Sequence, residues 1–137
     1  MGLPAEKVRA GGASPEQFRL NTIARLLSGV RYRYGSEVQL HEVMGQLLAG
    51  AGYAFEREYR LDARNRADFW LDGLVVEVKV DGSTGDALRQ VGRYIELPQV
   101  CAVLLAATPI WASTPLPKRP AWGGKPFAMT RLQRQAL

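Results

Sequence analysis

Apolar residues recur every three or four positions in two stretches of the N-terminal half of the chain. The stretches run from Ser14 to about Ser28 and from Ser36 to about Ala49, and this spacing predicts amphipathic helices. Each begins with a serine that has glutamine three residues later, which is the capping-box pattern of a helix start. Gly50 and Gly52 follow the second stretch and favour a helix end there.

Beyond Gly52 the apolar positions alternate, which is the pattern of β-strands. Residues 53–60 predict one strand, with its three aromatic residues on one side. Two further strands are predicted over 66–71 and 74–80, separated by Asp72-Gly73. An Asp-Gly pair between alternating apolar residues indicates a two-residue hairpin loop, because a type I′ turn needs positive φ at both positions.

The rest of the chain predicts one more helix and a buried strand. Ser83 is followed three residues later by an aspartate, which indicates a helix start, and Leu97-Pro98 ends that helix. The uninterrupted apolar run over 100–107 is typical of a buried strand. Residues 108–126 are rich in proline, so we expect an extended segment there, and 125–132 favour a last edge strand.

This order of elements predicts an α/β fold, with helices around a mixed sheet in one domain. Residues 1–13 carry three glycines and no apolar period, so we expect a flexible lead-in. The domain then covers 14–137, with its core over 36–107 and an extended, proline-rich C-terminal segment over 108–137.

Charge narrows the choice of partners. The 137 residues carry a net charge of +5 at pH 7, and a field of this sign attracts polyanions such as nucleic acid.

The one cysteine, Cys101, allows no disulfide within a monomer, which favours a reducing cytoplasm. We find no signal peptide and no apolar stretch of about 20 residues, so we expect no membrane association.

Two carboxylates and a lysine are predicted to share one face of the hairpin. With a two-residue loop, position i pairs with position 145 − i, so Asp68 lies opposite Glu77, with Cβ atoms about 4.5–5.5 Å apart. Lys79 shares that face because it is two residues beyond Glu77. Facing carboxylates repel, and a shared proton or the nearby Lys79 or Arg66 could offset the repulsion, but a divalent cation such as Mg²⁺, which suits hard oxygen ligands, does so best. The triad therefore predicts a hydrolytic site, in which the ion activates water and Lys79 orients it or stabilises developing charge.

A solvated surface hairpin is the alternative interpretation of the same charges. The flanking residues disfavour it, since the run 74–80 is apolar apart from Glu77 and Lys79. Such a strand belongs at the centre of a sheet, where charged residues are seldom kept without a purpose.

The pattern Asp68-x8-Glu77-Val78-Lys79 resembles the D…ExK motif of the PD-(D/E)XK nuclease superfamily. The resemblance covers about half of the chain, residues 36–107. It implies a restriction-endonuclease-like core, in which a mixed central sheet with an antiparallel hairpin is flanked by helices. It also implies a site that uses Mg²⁺ or Mn²⁺, with metal ligands at Asp68, Glu77 and Val78 and a catalytic lysine at Lys79. No proline precedes Asp68, which departs from the family pattern.

Gln90 and Tyr94 form a QxxxY pattern that is similar to the motif following the ExK strand in RecB-like exonucleases. Both lie on one helical face at i, i+4. The resemblance implies a catalytic role for Gln90 and contact of Tyr94 with DNA at the mouth of the site. An ordinary amphipathic helix explains the same two residues equally well.

The helix before the strands is expected to complete the site, since the family recruits an acid or a histidine from there. Glu37 and His41 share the apolar stripe of that helix, whereas Glu42 lies on another face. We therefore favour Glu37 as a catalytic residue and metal ligand. His41 is the second candidate ligand, although a lone histidine on an apolar face is more often a packed core residue.

These features together predict a metal-dependent deoxyribonuclease that recognises DNA structure or ends rather than sequence. Arg64 and Arg66 precede Asp68, and Arg93 follows Gln90, so we expect all three to contact the DNA backbone. Small size favours a resolvase-like enzyme that acts as a homodimer, while QxxxY favours an exonuclease. A catalytically inactive DNA-binding or assembly module and a hydrolase for another phosphodiester remain as alternatives.

Overall fold

Both N-terminal helices begin at the serines that the sequence indicated. The computed structural model describes residues 14–116 and 124–135. Helix α1 spans Pro15–Ser28, strand β1 spans Arg31–Tyr32 and helix α2 spans Glu37–Gly50. The Ser14 and Ser36 side chains each accept a hydrogen bond from the N–H three residues on, which satisfies a donor that the helix itself leaves free.

A five-stranded mixed sheet forms the centre of the fold. Its strands are β2 (Glu56–Arg60), β3 (Arg66–Leu71), β4 (Leu74–Lys79), β5 (Ala102–Ala107) and β6 (Phe127–Arg131), in that spatial order. The first three are antiparallel neighbours, and β5 and β6 join in parallel. Helix α3 (Thr84–Ile95) connects β4 to the parallel β5. The α/β class and the mixed sheet are therefore as predicted.

The hairpin between β3 and β4 has the predicted loop, and its register is as predicted for the three pairs nearest the loop, whereas the predicted pair of Asp68 and Glu77 is not formed. Asp72 and Gly73 have φ of 44° and 96°, as a type I′ turn requires. Leu71 pairs with Leu74, and Phe69 with Val76, so positions sum to 145. This register sends one set of side chains to each face of the sheet.

The two faces of the sheet are covered by different helices. One face buries Phe69, Val76 and Leu104 together with apolar residues of α1 and α2. The other face buries Val75 and Leu105 together with residues of α3. Glu77 and Lys79 project to the α3 side by alternation, so their face is a second buried layer and not a solvated one.

Strand β2 differs from the prediction in its length and in its alternation. It begins at Glu56, three residues later than expected, and Glu58 has a φ of 49°. Glu58 is left out of the pairing of β2 with β3, so the regular alternation of the strand is interrupted there. Tyr59 consequently stacks on Trp70, with ring centroids 5.2 Å apart, instead of sharing a side with Phe55, which packs in the opposite core.

The C-terminal segment is more ordered than expected in its described part. Residues Ile110–Ser113 form a 3₁₀ helix, which corrects the prediction of an extended chain there. The predicted last strand is β6, which lies beside β5. Strand β7 (Gln133–Arg134) was not predicted, and it pairs in parallel with β1 as a separate two-stranded ribbon. The expected lead-in over 1–13 and residues 117–123 lie outside the described residues.

Within the described ranges, no helix is both long enough and apolar enough to span a membrane.

Candidate active site

The Asp68 carboxylate ends the main-chain pairing of the hairpin. In a continued antiparallel ladder the Val78 N–H would donate to the Ala67 carbonyl. It donates instead to Asp68 Oδ2, over 2.8 Å, and the paired positions end at Phe69 and Val76. Val78 therefore orients Asp68 through its main chain at the end of the sheet where β4 and β5 terminate.

Glu77 is the most deeply placed acid of the site. It is 4% exposed, its Oε1 accepts a hydrogen bond of 2.8 Å from the Tyr94 hydroxyl, and its Oε2 lies 3.6 Å from Lys79 Nζ. Burial raises the pKa of Glu77 from its usual 4.5 to about 8, and the neighbouring charge of Asp68 adds to the rise. Tyr94 and Lys79 oppose that rise without cancelling it.

Asp68 is subject to the same effect. Burial raises the pKa of its carboxyl group, while the Val78 N–H and the charges of His41 and Lys79 oppose the rise. The raised pKa values of Asp68 and Glu77 are therefore only partly offset by their neighbours. Both carboxyl groups lie at one end of the sheet with the ammonium group of Lys79. Ionising both at neutral pH requires positive charge beyond that of Lys79.

Helix α2 brings the other candidate ligands close to Asp68. His41 Nε2 lies 3.8 Å from Glu37 Oε1, and it is a buried atom with no hydrogen-bond partner among the described residues. Glu37 is half-exposed, with 53% of its side chain accessible, and its charge contributes to the raised pKa of Asp68. Glu42 points elsewhere and forms an ion pair of 3.0 Å with Arg57.

These residues make two adjacent pairs and not one cluster. Within 14–116 and 124–135, no three side chains of His, Cys, Asp or Glu come together as a metal-binding group. Asp68 and Glu77 form the pair on the hairpin, and Glu37 and His41 form the pair on α2. A magnesium ion needs only one or two carboxylates, because it keeps several of its waters, so the donor set of the hairpin suits such an ion.

Tyr94 is fully buried, which corrects the expectation that it contacts DNA. Its hydroxyl oxygen lies 2.8 Å from both Glu77 Oε1 and the Arg66 carbonyl oxygen, and it accepts a hydrogen bond of 3.1 Å from Gln90 Nε2. Burial raises the pKa of Tyr94 far above its usual value, so the hydroxyl remains a donor. Tyr94 therefore contacts Glu77 directly, and Gln90 is linked to Glu77 only through the Tyr94 hydroxyl.

A polar cleft of about 340 Å³ opens beside Lys79, between the end of β4 and helix α3. Gln90 and two exposed arginines line it, together with the acids of the turn and the first helical turn. A larger cavity of about 530 Å³ lies beside β6, and its described lining contains no carboxylate. The smaller cleft therefore adjoins the candidate site at Lys79, although Asp68 and Glu77 are not among its lining residues. Its charged and amide lining residues are Lys79, Asp81, Asp86, Arg89, Gln90 and Arg93.

The predicted DNA-contacting arginines occupy different positions. Arg93 lines the cleft and is exposed. Arg66 is exposed and forms an ion pair of 3.5 Å with Glu58. Arg64 is exposed in the β2–β3 loop, where its N–H donates to Asp62 Oδ1. All three lie at or near the end of the sheet that holds Asp68, but only Arg93 reaches the cleft.

Sequence reasoning missed two residues at this end of the molecule. Asp62 organises the β2–β3 loop by accepting hydrogen bonds from the N–H groups of Arg64 and Asn65, and the Asp-x-x-Asn spacing was the available signal. Arg131 lies in register with Ala107 and Lys79 across three parallel strands. No local signal identifies Arg131, because its position depends on the pairing of β6.

Comparison of the chain with protein-family models, with curated proteins and with solved structures gives no match.

Proposed function

We propose that this protein is a divalent-metal-dependent deoxyribonuclease that hydrolyses DNA phosphodiester bonds. The observation that carries the proposal is the carboxylate pair of half-buried Asp68 and buried Glu77, which has one ammonium group, Lys79, within 3.6 Å of Glu77. Such a pair is costly to ionise unless additional positive charge is supplied. A divalent cation supplies that charge and is attracted by the same feature.

Asp68 and Glu77 would hold the metal, with Glu37 or His41 from α2 as further candidates and Val78 contributing main-chain groups only. His41 Nε2 supports this set, because a buried nitrogen with no partner among the described residues is available as a ligand. When bound, Mg²⁺ or Mn²⁺ supplies a Lewis acid that polarises a phosphoryl oxygen and lowers the pKa of water.

The remaining residues of the chain position groups around the reacting phosphate. Lys79 is about one-third exposed, so its ammonium group can orient an attacking water or stabilise charge that develops on the phosphoryl oxygens. Tyr94 holds Glu77 Oε1 and thereby fixes the carboxylate relative to Lys79. Arg89 and Arg93 supply positive charge on the far wall of the cleft, where a neighbouring phosphate would bind.

The resemblance to PD-(D/E)XK nucleases supports the same proposal. Helix α2, the antiparallel strands β2 to β4, helix α3 and the returning strand β5 follow one another in the order which that family's restriction-endonuclease-like core implies. We include that core and a homodimer among the expectations of the proposal. Nucleic acid is favoured over a small phosphodiester because the chain carries a net charge of +5.

The test is cleavage of labelled linear duplex, single-stranded, covalently closed circular and four-way-junction DNA with Mg²⁺, with Mn²⁺ or with EDTA. We expect metal-dependent cleavage of at least one substrate. Ladders from ends would indicate an exonuclease, and symmetrical junction nicks would indicate a resolvase.

Asp68→Asn should lower the cleavage rate at least about 100-fold. Asp72→Asn is the matched control, because it makes the same chemical change at the opposite end of the hairpin, at a position whose positive φ asparagine tolerates. Full activity in EDTA, or equal activity of the two variants, would contradict the proposal. Tight DNA binding without cleavage of any substrate would favour the inactive binding module.

A further inference from the structure

The ribbon of β1 and β7 presents a cationic outer face at the same end of the molecule as Asp68. Tyr32 and Tyr34 point into the core, at 0% and 8% exposure, so alternation directs Arg31 and Arg33 outward. Gln133 pairs with Arg31 and shares its face. The outer face therefore consists of four exposed residues, namely Arg31, Arg33, Gln133 and Gln135. Arg33 also lines a groove with Glu42 of α2, whose carboxylate is paired with Arg57.

The two outward arginines are not used in stabilising polar contacts within the described part of the chain. Neither Arg31 nor Arg33 forms an ion pair or a side-chain hydrogen bond there. Arg134, by contrast, stacks over the Tyr34 ring at 4.4 Å and donates to the Tyr34 carbonyl oxygen over 2.7 Å, which anchors β7. Two unpaired guanidinium groups on an anchored ribbon are positioned to bind an anion outside the protein.

Sheet topology connects this ribbon to the candidate site. Lys79, Ala107 and Arg131 are in register on the parallel strands β4, β5 and β6, so Lys79 and Arg131 lie two strand spacings apart, or about 10 Å. Both project to the α3 side of the sheet. The Leu132 N–H donates to the Ala107 carbonyl oxygen, and the chain then enters β7. The ribbon therefore lies beyond the same edge, at most about 20 Å from Lys79 along this path.

Arg131 bridges the interval between Lys79 and the ribbon. Its Nε donates to the Thr108 carbonyl oxygen over 3.2 Å, which holds the side chain at the strand ends. Its two terminal nitrogens have no hydrogen-bond partner among the described residues. Positively charged residues therefore occur at Lys79 and Arg131 on the strand ends and at Arg31 and Arg33 on the ribbon beyond them.

We infer that the β1–β7 ribbon binds the phosphate backbone of duplex DNA that extends from the scissile bond across the ends of β5 and β6. One strand of a duplex carries a phosphate every 3.4 Å or so along the axis, so a path of about 20 Å corresponds to roughly six base pairs. The contact is to phosphates, because arginine and glutamine on a flat ribbon face offer no groove-reading element. This inference rests on the proposed nuclease function and assigns the position of its substrate.

The double variant Arg31→Gln/Arg33→Gln tests the inference by removing both charges while keeping long polar side chains. Binding is measured by fluorescence anisotropy with Ca²⁺ at several NaCl concentrations, using as probes a 30-base-pair duplex and a short hairpin of about four base pairs, which cannot span the path of roughly six base pairs. For the long probe we expect the slope of log affinity against log salt to become less negative by about 1.8, since each lost phosphate contact contributes about 0.9. Affinity should fall roughly tenfold at moderate salt, and binding of the short probe should change much less.

Two further variants serve as controls for this test. Arg25→Gln removes one charge from an exposed position on α1 and should leave the salt slope of the long probe unchanged. Arg31→Lys/Arg33→Lys retains the charges and should retain the wild-type slope, which excludes a loss of folding as the cause.

The outcomes separate this inference from the proposed function. If the wild-type protein cleaves DNA but the double glutamine variant has the wild-type slope on the long probe, the ribbon contact is refuted and the nuclease stands. If the wild-type protein neither binds nor cleaves any DNA, both fail together. An equal loss on both probes would also overturn the inference, because it would place the arginines at the scissile phosphate itself.

Discussion

Glu77→Gln tests the carboxylate pair directly, without requiring any knowledge of the substrate. Glutamine has the shape of glutamate, and its amide oxygen can still accept the hydrogen bond from Tyr94, but it carries no charge. The variant therefore removes the repulsion toward Asp68 and the cost of burying an anion, while the packing against α3 is kept. We expect the metal-free variant to be more stable than the wild type at neutral pH.

The size of the effect follows from the raised pKa of Glu77. The group titrates near 4.5 when unfolded and at about 8 when folded, so between these values the folded protein holds a proton that the unfolded chain releases. The free energy of unfolding of the wild type therefore falls as pH rises through this window. At 1.36 kcal/mol per pKa unit, the loss reaches about 3 kcal/mol at pH 7. The raised pKa of Asp68 acts in the same direction.

Urea denaturation in EDTA at pH 4.5, 7 and 8, followed by tryptophan fluorescence, measures this difference. We expect Glu77→Gln to gain about 1–3 kcal/mol over the wild type at pH 7 and less than about 0.5 kcal/mol at pH 4.5. Asp72→Asn serves as the control for loss of one carboxylate on the same hairpin. Adding Mg²⁺ or Mn²⁺ at pH 7 should stabilise the wild type more than Glu77→Gln, because the proposed metal site is the folded carboxylate pair.

An identical dependence of stability on pH between 4.5 and 8 for the wild type and Glu77→Gln would refute the raised pKa of Glu77. That result would mean that Glu77 is already ionised in the folded, metal-free protein. The local charges would then be balanced, and the argument for a divalent cation would lose its main support.

Three other substitutions test the neighbours of the pair. Tyr94→Phe should cost about 1–2 kcal/mol in urea denaturation, since buried acceptors lose a donor, and it should raise the metal concentration needed for half-maximal cleavage; an unchanged metal requirement would reduce Tyr94 to a packing role. Lys79→Ala should lower single-turnover cleavage at least about 100-fold at saturating metal, and a rate near wild type would remove Lys79 from the mechanism. Glu37→Gln should impair cleavage more than Glu42→Gln, because Glu37 acts on Asp68 whereas Glu42 pairs with Arg57; the reverse ranking, measured under the same conditions, would exclude Glu37 from the site.

Local patterns in the sequence identified the elements that depend on short-range physics. The three serine caps predicted helix starts at Ser14, Ser36 and Ser83, and all three side chains accept the expected hydrogen bonds. The Asp72-Gly73 turn determined the register of the hairpin, because a side-chain period of two leaves no freedom once the loop length is known. That register predicted Asp68 and Glu77 to be neighbours, but the pairing ends at Phe69 and Val76, and the Val78 N–H holds the Asp68 carboxylate in place.

Contacts between residues distant in sequence escaped the same reasoning. The Tyr94 hydroxyl binds Glu77 across 17 positions, and its burial depends on how closely α3 packs on the sheet. Glu58 interrupts the pairing of β2 with β3, and Tyr59 stacks on Trp70, although the composition of β2 suggested regular alternation. Neither outcome has a signal within the few residues over which a propensity acts.

The sequence by itself determined the helix starts, the hairpin and its charged positions, since these depend on neighbouring residues and on a fixed backbone period. Only the tertiary structure decided that Tyr94 is a buried partner of Glu77, and that β7 returns about 100 residues later to pair with β1. It also aligned Arg131 with Lys79, because β6 joins β5 in parallel. Packing and strand pairing set these positions through the burial of surfaces far apart in the chain, and such burial leaves no periodic trace in either segment alone.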